Sequence, residues 1–146
     1  ASAWRFEGYR LALEGRGRAI EPRLVQQGDF MFDGGETSAM SLLTAPDRPT
    51  AIFGSNDETA IGVMAAAHRL GLSVPGDLSV AGFDDSEIAR LAWPQLTTVR
   101  QPIQAMAAAA AELVIGQADA EERKVEHRRL DFSLVFRGTT AAPPSV

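Results

Sequence analysis

The chain has 146 residues, 45% hydrophobic and 23% charged, and a formal net charge of −5 from 14 Lys and Arg against 19 Asp and Glu. That composition is ordinary for a globular domain, and the acidic balance argues against a nucleic-acid or anionic-membrane face on this stretch. With no cysteine, disulfides and cysteine-ligated metals are excluded, and no apolar run approaches the ~18 residues of a membrane span.

The first ten residues already read as the inside of an amphipathic helix, so the chain is expected to be a piece of a longer protein. Trp4–Leu13 is predicted helical, with Phe6, Tyr9 and Leu13 on one face and Arg5 at its border. Gly15-Arg16-Gly17-Arg18 ends it; following a helix rather than a strand, it reads as a solvated turn and not a phosphate loop. Arg23–Gln27 is predicted as a short strand leading into Gly28-Asp29-Phe30. Phe30 then has two readings, a residue lining the tip of the sheet or a staple packed in the core. Asp33-x-x-Glu36 has the spacing of a capping box for a helix over about Gly35–Ala45, with Ala39, Met40 and Leu43 as its apolar face.

Residues 48–85 form the centre of the pattern, a strand–helix–strand unit. Ala51–Gly54 is an apolar run ending in Ser55-Asn56-Asp57. Thr59–Leu70 is a helix stopped by Gly71, and Leu78–Gly82 is a second strand ending in Phe83-Asp84-Asp85. A right-handed crossover makes the strands parallel and brings both polar tips to one edge, where open α/β sheets bind ligands. The same residues suit local capping: Ser55-x-x-Glu58 is a capping box, Asp57 complements the helix dipole, and Asp84-Asp85 precedes a helix starting near Ser86. Spacing alone leaves both readings open. The helix Thr59–Leu70 is apolar nearly all round, so one side is expected against the sheet and the other against a second domain or a second copy of the chain.

Ser86–Ala92 is a short helix with Ile88 and Leu91 on one side, broken by Trp93-Pro94. Leu96–Arg100 is a β-branched strand, and Gln101-Pro102 opens a helix striped with Ile103, Met106, Leu113 and Val114 towards Gly116. Glu121–Arg129 is a solvated charge run. Leu130–Phe136 alternates as a strand with Leu130, Phe132, Leu134 and Phe136 on its buried face, and 141–146 is a loose tail. Neither His68 nor His127 has a partner at metal-ligand spacing, so no metal and no cofactor are expected. No nucleophile elbow, Walker loop or dinucleotide fingerprint is present, and the chain is expected not to be an enzyme.

Taken in order, Arg5-x-x-Gly8-Tyr9, Gly28-Asp29-Phe30, Ser55-Asn56-Asp57-x-x-Ala60-x-Gly62, Gly82-Phe83-Asp84-Asp85, Leu96-Thr97-Thr98-Val99-x-Gln101-Pro102 and Leu134-Val135-x-Arg137-x-Thr139-Thr140 resemble the effector-binding domain of lactose-repressor/galactose-repressor transcription regulators. The resemblance runs from about Trp4 to Thr140. It implies a three-layer α/β/α fold with a mainly parallel sheet, of the periplasmic-binding-protein-like type I, and mostly the carboxyl-terminal subdomain of it. The stretch 102–120 would belong to the amino-terminal subdomain, and the DNA-binding helix-turn-helix would lie outside the chain. It implies a cytoplasmic regulator that binds a small effector, a sugar by the presence of Asn56, and that meets operator DNA through its missing amino-terminal part. By the same resemblance Arg5, Phe30, Asn56, Phe83, Asp84 and Gln101 are the ligand-binding residues, and Ile61, Ile88 and Leu91 form a homodimer interface. A periplasmic sugar-binding protein of a transporter shares this fold and is the alternative.

Overall fold

The computed structural model describes residues 2–116 and 125–143. In chain order they form α1 (Ser2–Glu14), a 3₁₀ turn (Pro22–Leu24), α2 (Phe32–Leu43), β1 (Ala51–Phe53), α3 (Asp57–Arg69), β2 (Ser79–Asp84), α4 (Glu87–Leu91), β3 (Thr97–Arg100), α5 (Ile103–Gly116) and β4 (Ser133–Val135). The sheet runs β1-β2-β3-β4. β1, β2 and β3 are parallel, with Phe53 opposite Ala81 and Asp84 opposite Arg100, and β4 adds antiparallel with Val135 opposite Thr98. The fold is therefore α/β with a mostly parallel sheet, as expected.

Burial explains the order. Val80 and Gly82 of β2 point to α3, and the core gathers Ala39 and Leu43 of α2, Ala60, Val63, Ala66 and Ala67 of α3, and Leu78, Val80, Ala89 and Leu96. Small residues let the layers close. A methyl group on Gly62 would lie 2.2 Å from the Phe32 carbonyl oxygen, and one on Gly35 would lie 2.4 Å from that of Thr59. The backbones of α2 and α3 thus touch directly, which only glycine at both positions permits. The apolar second side of α3 is covered by α2 of the same chain. The alternate face of β2 carries Phe83, and Arg5 of α1 lies over its ring, so helices lie on both faces of the sheet. None of the described side chains of α1 or α5 is buried.

Several local expectations are corrected. Arg23–Gln27 does not form a strand: Pro22–Leu24 turns as a 3₁₀ helix, the Val25 amide donates to the Pro22 carbonyl, and no described strand pairs with the outer edge of β1. Asp33 does not cap α2, which starts one residue before it, with Met31 at the cap position; the Asp29 carboxylate instead accepts from the Met31 amide at 3.0 Å. Asn56, not Ser55, caps α3. The predicted strand over Leu130–Phe136 shortens to Ser133–Val135, and Phe132, Leu134 and Phe136 are exposed rather than buried. The expected helix over 102–120 and charge run over 121–129 are described only as far as Gly116 and from Val125, and the rest of both lies outside the described residues.

Candidate ligand-binding site

Parallel strands deliver their carboxyl ends to one edge. There β1 ends at Gly54-Ser55-Asn56, β2 at Asp84-Asp85 and β3 at Arg100-Gln101. The amide of Gly54 extends the ladder by donating to Ala81 at 2.8 Å. Asn56 then turns the chain into α3: its Oδ1 accepts from the Thr59 amide at 2.9 Å, satisfying one orphan donor of the first turn. Its Nδ2 donates to the Phe30 carbonyl at 2.9 Å. One side chain therefore both caps α3 and ties down the Phe30 backbone. Phe30 sits at φ +68° and is half-exposed, not core.

The tip of β2 is strained, with Asp84 at φ +119° and Asp85 at φ +55°, a region that costs non-glycine residues about 1–3 kcal/mol each. The two carboxylates point apart. Asp84 Oδ1 accepts from Gln101 Nε2 at 2.6 Å and lies 3.5 Å from Arg5 Nη2. The Arg5 guanidinium also donates to the Ser55 carbonyl at 2.5 Å and lies 4.0 Å from the centre of the Phe83 ring, a cation–π contact. Arg5, Phe83, Asp84 and Gln101 are thus one cluster, and Ser55 links it to the Asn56–Phe30 pair. All six expected ligand residues stand on this edge. Beside them a cavity of about 570 Å³ runs along β1, lined by Arg5, Phe6, Phe30, Phe53 and Ser55 among others.

Asp85 turns inward instead. Its side chain is 2% exposed; Oδ2 accepts from Arg100 Nε at 2.5 Å and Oδ1 from Arg137 Nη2. Burial acts against its charge, but hydrogen bonds from Arg137 and Arg100, with their charges, outweigh it and hold the carboxyl below its ordinary range. Arg137 Nη1 also donates to the Leu96 carbonyl at 2.8 Å. The Asp85–Arg137 pair was not foreseen, nor was the buried carboxylate of Asp57, which accepts from both the amide and the hydroxyl of Ser86. The one signal for the latter was the Thr97-Thr98 pair in β3, whose Thr98 hydroxyl donates to the Asp57 carboxylate.

An anionic acceptor, a forked cation, an amide and aromatic faces within one cluster suit a polyhydroxylated ligand with an apolar ring face. Among the described residues no group of three or more His, Asp or Glu side chains could hold a metal ion, and no helix is long and apolar enough to cross a membrane.

Residues 1–140 match the family of the periplasmic binding protein-like domain. The chain is 36% identical over 141 residues to the HTH-type transcriptional repressor CytR of Escherichia coli (strain K12), covering 97% of this chain and 41% of that protein. It is 36% identical over 135 residues to the ribose operon repressor of the same strain, covering 92% and 41%. Among solved structures, the transcriptional regulator CelR–cellobiose complex superposes with a TM-score of 0.87 at 33% identity, covering 92% of this chain and 41% of that one. The chain spans about two-fifths of the length of these relatives.

Proposed function

Because the chain belongs to the periplasmic binding protein-like domain family, in its lactose-repressor/galactose-repressor branch, we propose that it is the effector-binding and dimerisation part of a transcription regulator that senses a sugar. The observation that carries this reading is the Asp84 carboxylate, presented at the sheet edge with Arg5 and Gln101 as donors around it and Phe83 under the guanidinium. Asp84 and Asn56 read ligand hydroxyls, Arg5 donates in a fork, and Phe30 and Phe83 offer ring faces. Ribose and cellobiose in the names of two relatives fit that chemistry.

The remaining parts of the reading follow from the same premise. Operator DNA is met by residues outside this chain, whose own charge is −5. α5, without a buried residue, belongs to the amino-terminal subdomain. Ile61, Ile88 and Leu91 pair with a second copy. The protein works in the cytoplasm, as its repressor relatives suggest, and performs no catalysis. A transporter's periplasmic sugar-binding protein has the same fold, but both curated relatives named above are repressors, which favours the regulator.

A thermal-shift screen of sugars against the full-length gene product tests the reading. A sugar at 100 times its Kd adds about 2.7 kcal/mol to stability. Asp84→Ala should weaken that sugar's binding by about tenfold to a hundredfold, since a hydrogen bond involving a charged group contributes about 1.5–3 kcal/mol. No shift with any sugar, or a shift that Asp84→Ala leaves unchanged, removes the proposed site.

A further inference from the structure

The strained tip of β2 needs an anchor, and the first residue of α3 supplies one. Asp57 is 1% exposed. Its Oδ2 accepts from the Ser86 amide at 2.7 Å and the Ser86 hydroxyl at 2.9 Å, and its Oδ1 accepts from the Thr98 hydroxyl at 2.5 Å. The Thr98 oxygen in turn faces the Asp85 amide at 3.4 Å. One buried carboxylate therefore reaches the two residues that follow Asp84, Ser86 directly and Asp85 through Thr98. There is no slack beneath it, since a methyl group on Gly82 would lie 2.5 Å from Asp57 Oδ1. A buried anion with three good donors is well satisfied, and its hydrogen bonds are of the stronger, charge-assisted kind.

We propose that Asp57 is a positioning residue of the effector site: it holds the Asp84–Asp85 turn in its left-handed form and so sets the Asp84 carboxylate against Arg5 and Gln101. The inference rests on the reading of Asp84 as a ligand residue. It gives the neighbours Asn56 and Asp57 parallel tasks. Asn56 fastens the loop carrying Phe30, at φ +68°, and Asp57 fastens the turn carrying Asp84, at φ +119°. Both strained loops are thereby tied to the amino end of one helix, whose own place is fixed by its backbone contact with α2.

Two variants of the full-length gene product test this. Asp57→Ala removes the acceptors. Thr98→Val keeps the volume of the side chain and cuts only the link between Asp57 and the Asp85 amide, so it serves where Asp57→Ala does not fold. Hydrogen exchange followed by mass spectrometry should show the 84–86 segment opening about tenfold faster or more, while α2 and β1 stay within about twofold, the pattern of local rather than global opening. Exchange that rises equally everywhere, or not at all at the turn, overturns the inference. A second arm titrates ribose and cellobiose by calorimetry. With a sugar whose binding Asp84→Ala weakens, Thr98→Val should lose about tenfold in affinity alone and nothing further on top of Asp84→Ala, as coupled neighbours do. Full affinity in Thr98→Val, or independent losses, overturns the positioning role while leaving Asp84 in the site. If Asp84→Ala binds both sugars as tightly as the unaltered protein, the effector reading falls and the positioning role falls with it.

Discussion

Asp84 and Asp85 are adjacent and chemically identical, but Asp85 alone of the two turns inward, against Arg137 and Arg100. Asp85 is held below its ordinary carboxyl value of 3.8 by Arg137 and Arg100 against the opposing effect of burial. A group depressed in the folded state binds fewer protons there than when unfolded, so its contribution is whole above that ordinary value and is lost as pH falls through the lower folded one. Asp85→Asn should therefore melt earlier than the unaltered protein at pH ~6 and lose less on going from pH ~5 to ~3, as thermal melts will show. Asn56 separates two tasks in another way. Asn56→Ala loses the cap of α3, about 0.5–2 kcal/mol, and frees the Phe30 loop. Asn56→Asp keeps an acceptor for the Thr59 amide but no donor for Phe30, so its melting temperature should recover while sugar affinity stays low. Equal affinity in Asn56→Asp and the unaltered protein would show the Phe30 contact to be idle. Asn56 and Asp84 were legible at the edge because each stands at a strand tip, whereas Arg5 on a helix, Phe30 after a segment that forms no strand, Phe83 and Gln101 were named through the resemblance. Asp57 and Arg137 were not legible in these roles, because their partners lie 29 and 52 residues away along the chain, and nothing local in the sequence marks such a pair.

At the scale of elements, the contact between α2 and α3 is the tightest joint, and Gly62 tests it. A Cβ there would meet the Phe32 oxygen at 2.2 Å and the Glu36 nitrogen at 2.7 Å, backbone atoms that cannot turn aside. Gly62→Ala should cost about 1–3 kcal/mol or more by overpacking, read as a lower urea midpoint. Gly8→Ala in α1, with nothing within 4 Å, should be neutral or stabilise by up to about 1 kcal/mol through helix propensity. Similar destabilisation by both would mean that the α2–α3 contact is not what limits stability. The three parallel strands and all five α-helices were legible from periodicity and turn residues. The failures have physical causes. A short stretch such as Arg23–Gln27, with only Leu24 and Val25 apolar, becomes a strand only when a neighbour pairs with it, and in the described residues the outer edge of β1 stays free. The alternation of Leu130–Phe136 marks one apolar face without saying what covers it. Helix α3 was rightly read as two-sided, but sequence does not say which element takes the second side, and α2 does.

For the molecule as a whole, the proposed pairing with a second copy rests on surface rather than on α3 needing a cover. Leu91 is 75% and Trp93 93% exposed, next to Ile88 at 38%. Apolar side chains gathered in this way are rarely left to water when they form a patch of several hundred Å². Light scattering of the full-length gene product should give a dimer that Leu91→Asp or Ile61→Asp dissociates at low concentration; a dimer indifferent to both places the interface elsewhere. The closing segment of the fold has a different consequence. Thr139 is fully buried between β2 and β3: its hydroxyl donates to the Val80 carbonyl and accepts from the Thr97 amide, while its own carbonyl accepts from the Val80 amide. Two residues earlier, Arg137 supplies half the counter-charge of Asp85. For a chain synthesised from its amino end, that arrangement is a clock. Until residues 137–139 leave the ribosome, the two central strands lack their bolt and the turn beside the pocket holds a carboxylate with only Arg100 to answer it. A nascent chain stalled short of Arg137 would carry the six edge residues without this bolt, so limited proteolysis should cut it at the sheet faster than a chain that includes Thr139.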